Sequence, residues 1–116
     1  MNEYFKPETF YKSVNCDCHA VIYIEHNGVV RILRGSTIVT DRPDPDKEPE
    51  ITRRANELLI EMLVLEAVDT RVPYKIELID DYKFITIESA TELLIGRDDV
   101  RPEDYWVPIF PDAAQA

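Results

Sequence analysis

An Asn-Gly pair between two β-forming segments is the feature that most restricts the fold of this chain. Asn27-Gly28 separates the segments HAVIYIEH and VVRILRG, which are rich in β-branched and aromatic residues. Asn-Gly supplies the positive φ angles of a type I′ turn, the favoured two-residue connection of a β-hairpin. The pattern therefore predicts a tight hairpin in which Ala20, Ile22 and Ile24 face the core.

Two amphipathic segments further along the chain predict helices. Pro49 and Glu50 suit a first helical turn, and apolar residues follow at helical spacing to about residue 67. The predicted inner side of this first helix consists of Ile51, Ala55, Leu58, Leu59, Met62, Leu63 and Leu65 or Glu66. A second helix is predicted over residues 86–95, with Thr86 as its N-cap and Gly96 at its C-terminal end.

The remaining segments complete an α+β prediction. Pro7 and the sequence PETFYKSV predict a short helix in an N-terminal segment, residues 1–19. The sequences STIVT, PYKIELI and YKFI predict further strands, and the apolar side chains Trp106, Val107, Ile109 and Phe110 are expected to pack on the core. We therefore expect one domain over residues 20–110, an antiparallel sheet of three to five strands covered on one face by two helices, and a frayed tail at 111–116.

Charge and hydropathy restrict the classes of function. The 116 residues include 23 acidic and 13 basic residues, for a net charge of −10, which repels polyphosphate backbones but leaves a local basic patch open. No apolar run approaches the ~20 residues that cross a bilayer, and the N-terminus does not resemble a secretion signal. Two cysteines without an export signal favour a reduced, cytoplasmic protein that has no membrane partner.

The stretch NCDCHAVIYIEH brings Cys16, Cys18, His19 and His26 close together in the sequence. Structural zinc needs about four converging ligands. In an extended chain the cysteines share one face, His19 points away, and His26 lies about 23 Å beyond His19. We therefore interpret the stretch as a strand with buried or half-buried thiols, and expect neither a metal nor a cofactor. A redox or regulatory thiol stays open, although no basic residue between Lys12 and Arg31 is present to stabilise a thiolate.

Candidates for catalysis and for anion binding are few. Asp80-Asp81 and Asp98-Asp99 occur where turns are expected, so turn chemistry explains them and no enzymatic activity is predicted. The basic candidates are Arg31, Arg34, Lys83 and Arg97. They either converge into a small patch that binds nucleic acid or another anion, or they offset neighbouring acids on a solvated surface.

The segment GVVRILRGSTI and the later segment DYKFITIESATELLIGR carry a family resemblance. Together they resemble a small domain family found at the ends of GIY-YIG nucleases and in restriction–modification proteins, similar to the RAMA domain (restriction enzyme and adenine methylase associated). The matching positions are Gly35-Ser36, Phe84, Thr86, Ala90 and Gly96-Arg97. Over about residues 18 to 107, the resemblance implies an accessory module that acts near nucleic acid or a defence enzyme and is not itself catalytic.

Three functional hypotheses follow from these patterns. The leading hypothesis is a non-enzymatic interaction module with a protein partner, and a homodimer is compatible with it. The second is direct binding of DNA or RNA through the four basic candidates. The third is an acidic inhibitor whose carboxylates imitate a phosphate backbone.

Overall fold

The computed structural model describes residues 4–84 and 86–109, which form two antiparallel sheets and two α-helices. The strands are β1 (Thr9–Ser13), β2 (Val21–Ile24), β3 (Val30–Ile32), β4 (Thr37–Ile38), β5 (Val68–Asp69), β6 (Ile76–Leu78), β7 (Tyr82–Phe84) and β8 (Trp106–Ile109). The helices are α1 (Pro49–Val64) and α2 (Ile87–Ile95), with a 3₁₀ turn at Pro102–Asp104. The predicted α+β class is confirmed. Within the described ranges, neither helix has the length and apolar character needed to cross a bilayer.

The larger sheet has the strand order β7-β3-β2-β1-β8, and the smaller sheet has the order β4-β6-β5. The predicted inner residues Ala20, Ile22 and Ile24 are buried, so the alternation along β2 is confirmed. The strand predicted after Gly35 is present as β4, but it pairs with β6 in the smaller sheet. A positive φ at Gly35 (87°) marks the bend where the chain leaves the larger sheet.

The β2–β3 connection is a hairpin, but the predicted two-residue type I′ turn is wrong. Glu25 N donates to Val29 O and Gly28 N donates to Glu25 O, each at 2.8 Å, so the loop holds three residues. Gly28 has a φ of 89°, whereas Asn27 is not among the residues with positive φ. Asn27 instead accepts a hydrogen bond from Val29 N at its side-chain oxygen. This pattern is typical of a turn followed by one left-handed residue, which is the common three-residue hairpin loop.

The short helix predicted in residues 1–19 is wrong, because this segment contains β1. The strand pairs with β2 on one side and with β8 on the other, so β1 lies inside the larger sheet. Tyr11 faces the core with 1% of its surface exposed, while Phe10 and Lys12 face outward. Period-two alternation over only five residues was too short to outweigh the helix-start signal at Pro7.

Helix α2 begins and ends as predicted. The Thr86 hydroxyl accepts a hydrogen bond from Ser89 N at 3.1 Å, and Gly96 ends the helix in the left-handed conformation. The helix packs against β3, β7 and β4, and α1 packs against α2. Its buried residues are Ile87, Ala90, Thr91, Glu92, Leu93, Leu94 and Ile95. A helix buried on so many sides is the centre of the core.

The C-terminal apolar residues pack on the core only in part. Trp106 is 1% exposed, and its indole nitrogen donates to the Thr91 hydroxyl at 3.0 Å. Ile109 lies at the outer end of β8 and is 39% exposed, so its predicted packing is wrong. The predictions for Ile85, Phe110 and the tail at 111–116 fall outside the described residues.

Asp98 joins the loop after α2 to the first half of α1. Its carboxylate accepts hydrogen bonds from Ala55 N at 2.8 Å and from Arg54 N at 3.0 Å, and its own N–H donates to Ile51 O at 2.6 Å. A loop residue therefore makes three hydrogen bonds to the backbone of α1. Asp98 was predicted only to form a turn, but in the structure it also connects the loop after α2 to α1.

We expect Asp98→Ala to lower the free energy of unfolding by about 2 kcal/mol, because two charge-assisted hydrogen bonds from helix N–H groups to its carboxylate are lost. Asp98→Asn keeps one acceptor oxygen and should lie between the wild type and the alanine variant. Asp99→Ala is the matched control. It removes a neighbouring carboxylate that pairs with the partly exposed Arg97, and should cost less than about 1 kcal/mol. Equal losses in Asp98→Ala and Asp99→Ala, measured by urea denaturation, would contradict this role.

Candidate functional site

Cys16 and Cys18 lie in the loop between β1 and β2, not in the strand that their sequence suggested. The interpretation of this stretch as a continuous strand is therefore wrong for the cysteines. Both thiols are free, and the two Sγ atoms are 2.8 Å apart. Cys18 is 4% exposed and Cys16 is half-buried, as predicted for the thiols. The structure thus places an accessible thiol directly against a buried one.

The pKa values of the two thiols are shifted in opposite directions. The hydrogen bond from Cys18 lowers the pKa of Cys16 to about 6, although partial burial and Asp17 act in the other direction. The same contact raises the pKa of Cys18 far above its usual range, and burial adds to this effect. The contact between the two sulfur atoms therefore favours the thiolate at Cys16 and the protonated thiol at Cys18.

The two histidines do not join the cysteines. His19 is exposed next to β2, and its backbone N–H donates to the Thr37 hydroxyl. His26 lies in the β2–β3 loop with its Nδ1 3.7 Å from a Glu8 carboxylate oxygen. Across residues 4–84 and 86–109, no three His, Cys, Asp or Glu side chains are grouped so that they could hold a metal ion.

Cys16 opens into a surface pocket with a volume of about 320 Å³. Its other charged or titratable lining residues are Asp17, Asp41, Arg42, Arg97 and Tyr105. The Arg42 guanidinium donates to the carbonyls of Leu93 and Ala55, and its burial lowers its pKa to about 10. The pocket is therefore of mixed charge, and one of its arginines, Arg42, is hydrogen-bonded to both helices.

Arg31 and Lys83, two of the four basic candidates, are brought together by the pairing of β3 with β7. They are direct cross-strand partners on the outer face of the larger sheet. Both contact the Glu25 carboxylate, with Lys83 at 3.3 Å, and Arg31 lowers the pKa of Glu25. Arg31 is in turn the cross-strand partner of Tyr23 on β2, and Tyr23 is the partner of Phe10 on β1. The ring centroids of Tyr23 and Phe10 are 4.6 Å apart. Two cations and two aromatic rings thus lie side by side on the sheet surface.

Arg34 and Arg97 lie elsewhere. Arg34 follows β3, is exposed and lines a pocket near the end of α1, while its N–H donates to Asp81 at 2.7 Å. Arg97 follows α2 and pairs with Asp99 at 2.9 Å. The structure therefore distributes the four candidates over three places, and only Arg31 and Lys83 share a surface.

An exposed apolar surface on the second half of α1 was missed by the sequence analysis. Leu63 and Leu65 were predicted to face inward, but they are 45% and 56% exposed, so that prediction is wrong. Ile60 and Val64 are 49% and 75% exposed, and Ile79, which follows β6, is 47% exposed.

Ile60, Leu63 and Val64 have the three- and four-residue spacing of one helix face. Leu63 and Ile79 also line a common pocket with a volume of about 580 Å³. We call Ile60, Leu63, Val64 and Ile79 the α1 apolar surface.

Acidic residues border the α1 apolar surface. Glu57 and Glu61 lie on α1, Glu66 follows it, and Asp80 is next to Ile79; all four are exposed. The pocket near Leu63 also contains Arg34, and it contains Asp69 and Glu77, which pair with Arg71 and Lys75. An apolar surface with a mainly acidic rim is typical of a site that binds another protein.

The family resemblance is neither supported nor contradicted by comparison with known proteins. No protein-family model, no curated protein sequence and no solved structure was found to match the chain.

Proposed function

We propose that the protein is a non-enzymatic interaction module that binds a protein partner through the α1 apolar surface. The observation that carries the proposal is the exposure of four large aliphatic side chains at the end of α1 and beside β6. Exposing such side chains together is costly in water, and burying each one against a partner contributes about 1 kcal/mol or more.

The rim of this surface favours a partner with basic residues. Glu57, Glu61, Glu66 and Asp80 would lie opposite the rim of whatever protein covers the apolar residues. A second copy of the chain would bring the same acids together across a two-fold axis, with a charge of −10 on each copy. A different protein with an apolar contact and a basic border is therefore the proposed partner.

The resemblance to restriction-associated domains makes a nucleic-acid-processing enzyme the first class of partner to examine. Such enzymes commonly carry basic surfaces because they bind phosphate backbones. We place this interaction in the cytoplasm, because free cysteines such as Cys16 and Cys18 are kept reduced there.

Replacing Val64 by Glu should abolish partner binding. The change puts a charge at the centre of the apolar surface while leaving the core untouched, because Val64 is 75% exposed. Affinity capture from native cell extract, followed by mass spectrometry and binding titration of the recovered partner, measures the loss. We expect the affinity to fall by at least about 30-fold, equivalent to about 2 kcal/mol.

Val72→Glu is the matched control, since Val72 is 54% exposed and lies outside the α1 apolar surface. It adds the same charge and should keep the partner. Added salt should weaken the wild-type complex because the acidic rim contributes to binding. A partner that binds Val64→Glu as well as the wild type would contradict the proposal. A wild-type dimer that Val64→Glu dissociates would identify a second copy as the occupant.

Direct binding of single-stranded nucleic acid is a second candidate, favoured by the row across the outer face of the larger sheet. Phe10, Tyr23, Arg31 and Lys83 lie on four adjacent strands, and single strands bind such faces by stacking bases on aromatic rings beside cations. Glu25 and Asp81 partly neutralise this row, since both contact Arg31. The acidic-inhibitor hypothesis stays a prediction.

For this second candidate, Tyr23→Ala and Lys83→Ala should each lower the affinity for a labelled single-stranded oligonucleotide by about tenfold at low salt. The Lys83 variant should also reduce the salt dependence by about one counterion. Fluorescence anisotropy measures both effects. Arg97→Ala, a cation in a different pocket, should bind like the wild type. No binding at low salt, or an equal loss in Arg97→Ala, would exclude this function.

A further inference from the structure

The paired thiols of the β1–β2 loop are not used by the proposed function, and their geometry is that of a reactive pair. The two Sγ atoms are 2.8 Å apart, about 0.8 Å more than the length of a disulfide bond. Both residues belong to one short loop, so a small movement of that loop is sufficient to join the sulfur atoms. Cys16 is the accessible member because it lines the 320 Å³ pocket, whereas Cys18 is 4% exposed.

Hydrogen bonds hold the loop in this arrangement from both sides. The Ser13 hydroxyl donates to Cys18 O and accepts from Ala20 N, each at 3.0 Å. The Asn15 side chain donates to Asp104 O at 2.7 Å, and Val14 N donates to Tyr105 O at 2.8 Å. The sulfur atoms are thus positioned by the sheet and by the segment before β8, and their contact is part of the fold.

We infer that Cys16 and Cys18 form a redox-active dithiol that reacts with low-molecular-weight disulfides and closes to an internal Cys16–Cys18 disulfide. The half-buried Cys16 is the attacking thiol, and the pocket in front of it has room for a small disulfide. The buried Cys18 is the resolving thiol. The α1 apolar surface contributes no residue to this site, so the inference does not depend on the proposed partner.

The reaction proceeds through two exchange steps. The Cys16 thiolate attacks one sulfur of the small disulfide, forms a mixed disulfide and releases one small thiolate. Cys18 then loses its proton to that thiolate and attacks the Cys16 sulfur, which breaks the mixed disulfide and releases a second small thiolate. Starting from the Cys16 thiolate, the protein loses two electrons and the Cys18 proton. The small disulfide is reduced to one thiol and one thiolate, and that thiolate takes its proton from water.

The unequal acidity of the thiols supports this division of roles. Cys16 is mainly thiolate at neutral pH because Cys18 donates to it, and a thiolate with a pKa near or below ambient pH is an effective attacking group. Asp17 opposes this effect, and Asp41, Arg42, Arg97 and Tyr105 are the other charged or titratable groups around the pocket. The thiol contact outweighs Asp17, because it is the largest cause of the shift.

The test uses the reduced full-length chain with oxidised glutathione, followed by acid quenching and intact-protein mass spectrometry. The wild type should lose two hydrogens and form an internal disulfide. Cys18→Ala should instead accumulate a mixed disulfide with one glutathione on Cys16. Cys16→Ala is the matched control and should react at least about tenfold more slowly than Cys18→Ala, because its remaining thiol is buried.

Iodoacetamide alkylation of Cys16 gives a second measurement. Its rate should be half-maximal at a pH of about 6 in the wild type, and Cys18→Ala should move that midpoint upward because the hydrogen-bond donor is removed. Circular dichroism checks that the variants are folded, and Cys18→Ser replaces Cys18→Ala if the latter is not. Equal rates for the two alanine variants would overturn the inference. So would a wild type that stops at the mixed disulfide or forms only intermolecular disulfides.

Discussion

Burial of helix α2 between the larger sheet and α1 brings several of its polar groups into hydrogen bonds with other elements. The Thr91 hydroxyl donates to Ile87 O within the helix and accepts from the Trp106 indole, which belongs to β8. Glu92 accepts from Arg54 of α1, and Leu93 O accepts from Arg42 of the loop before α1. An unpartnered polar group in such a position costs about 1–3 kcal/mol. The elements around α2 are therefore connected by directional bonds as well as by apolar packing.

The parts of the fold that could be predicted from the sequence are those determined by neighbouring residues. Two of these predictions concern the ends of α2, where Thr86 is the N-cap and Gly96 the C-cap, and both are confirmed. The alternation of buried residues along β2 is also confirmed, and it too depends only on residues close in the sequence. The β1 segment was mispredicted because its conformation depends on pairing with β8, nearly the whole chain away. The exposed leucines of α1 have a geometric cause. A helix of 16 residues is about 24 Å long, and α2, with nine, is about 14 Å long, so α2 cannot cover α1 along its whole length.

In the candidate sites as well, features set by neighbouring residues could be predicted, whereas features set by residues distant in the sequence could not. An extended chain predicts that Cys16 and Cys18 share a face, but only the loop geometry brings their sulfur atoms into contact. The absence of nearby basic residues argued against a thiolate, yet a second thiol supplies the stabilising hydrogen bond. Arg31 and Lys83 meet through β3–β7 pairing, which spans about fifty residues of chain, and no spacing rule could identify them as a pair. Arg97 was a candidate to converge with them once the hairpin and the second helix pack, but the fold places it in the pocket near Cys16.

The position of β8 beside β1 has a consequence for how the protein is made. Because β8 is the last strand of the described residues, β1 lacks one of its two neighbours until residues 106–109 have left the ribosome. The β1–β2–β3 meander can form earlier, but the indole that completes the surroundings of Thr91 arrives with β8. The larger sheet is therefore completed only after residues 106–109 have been synthesised. During translation the nascent chain carries an unpaired strand edge, which is the form most open to chaperones and to aggregation.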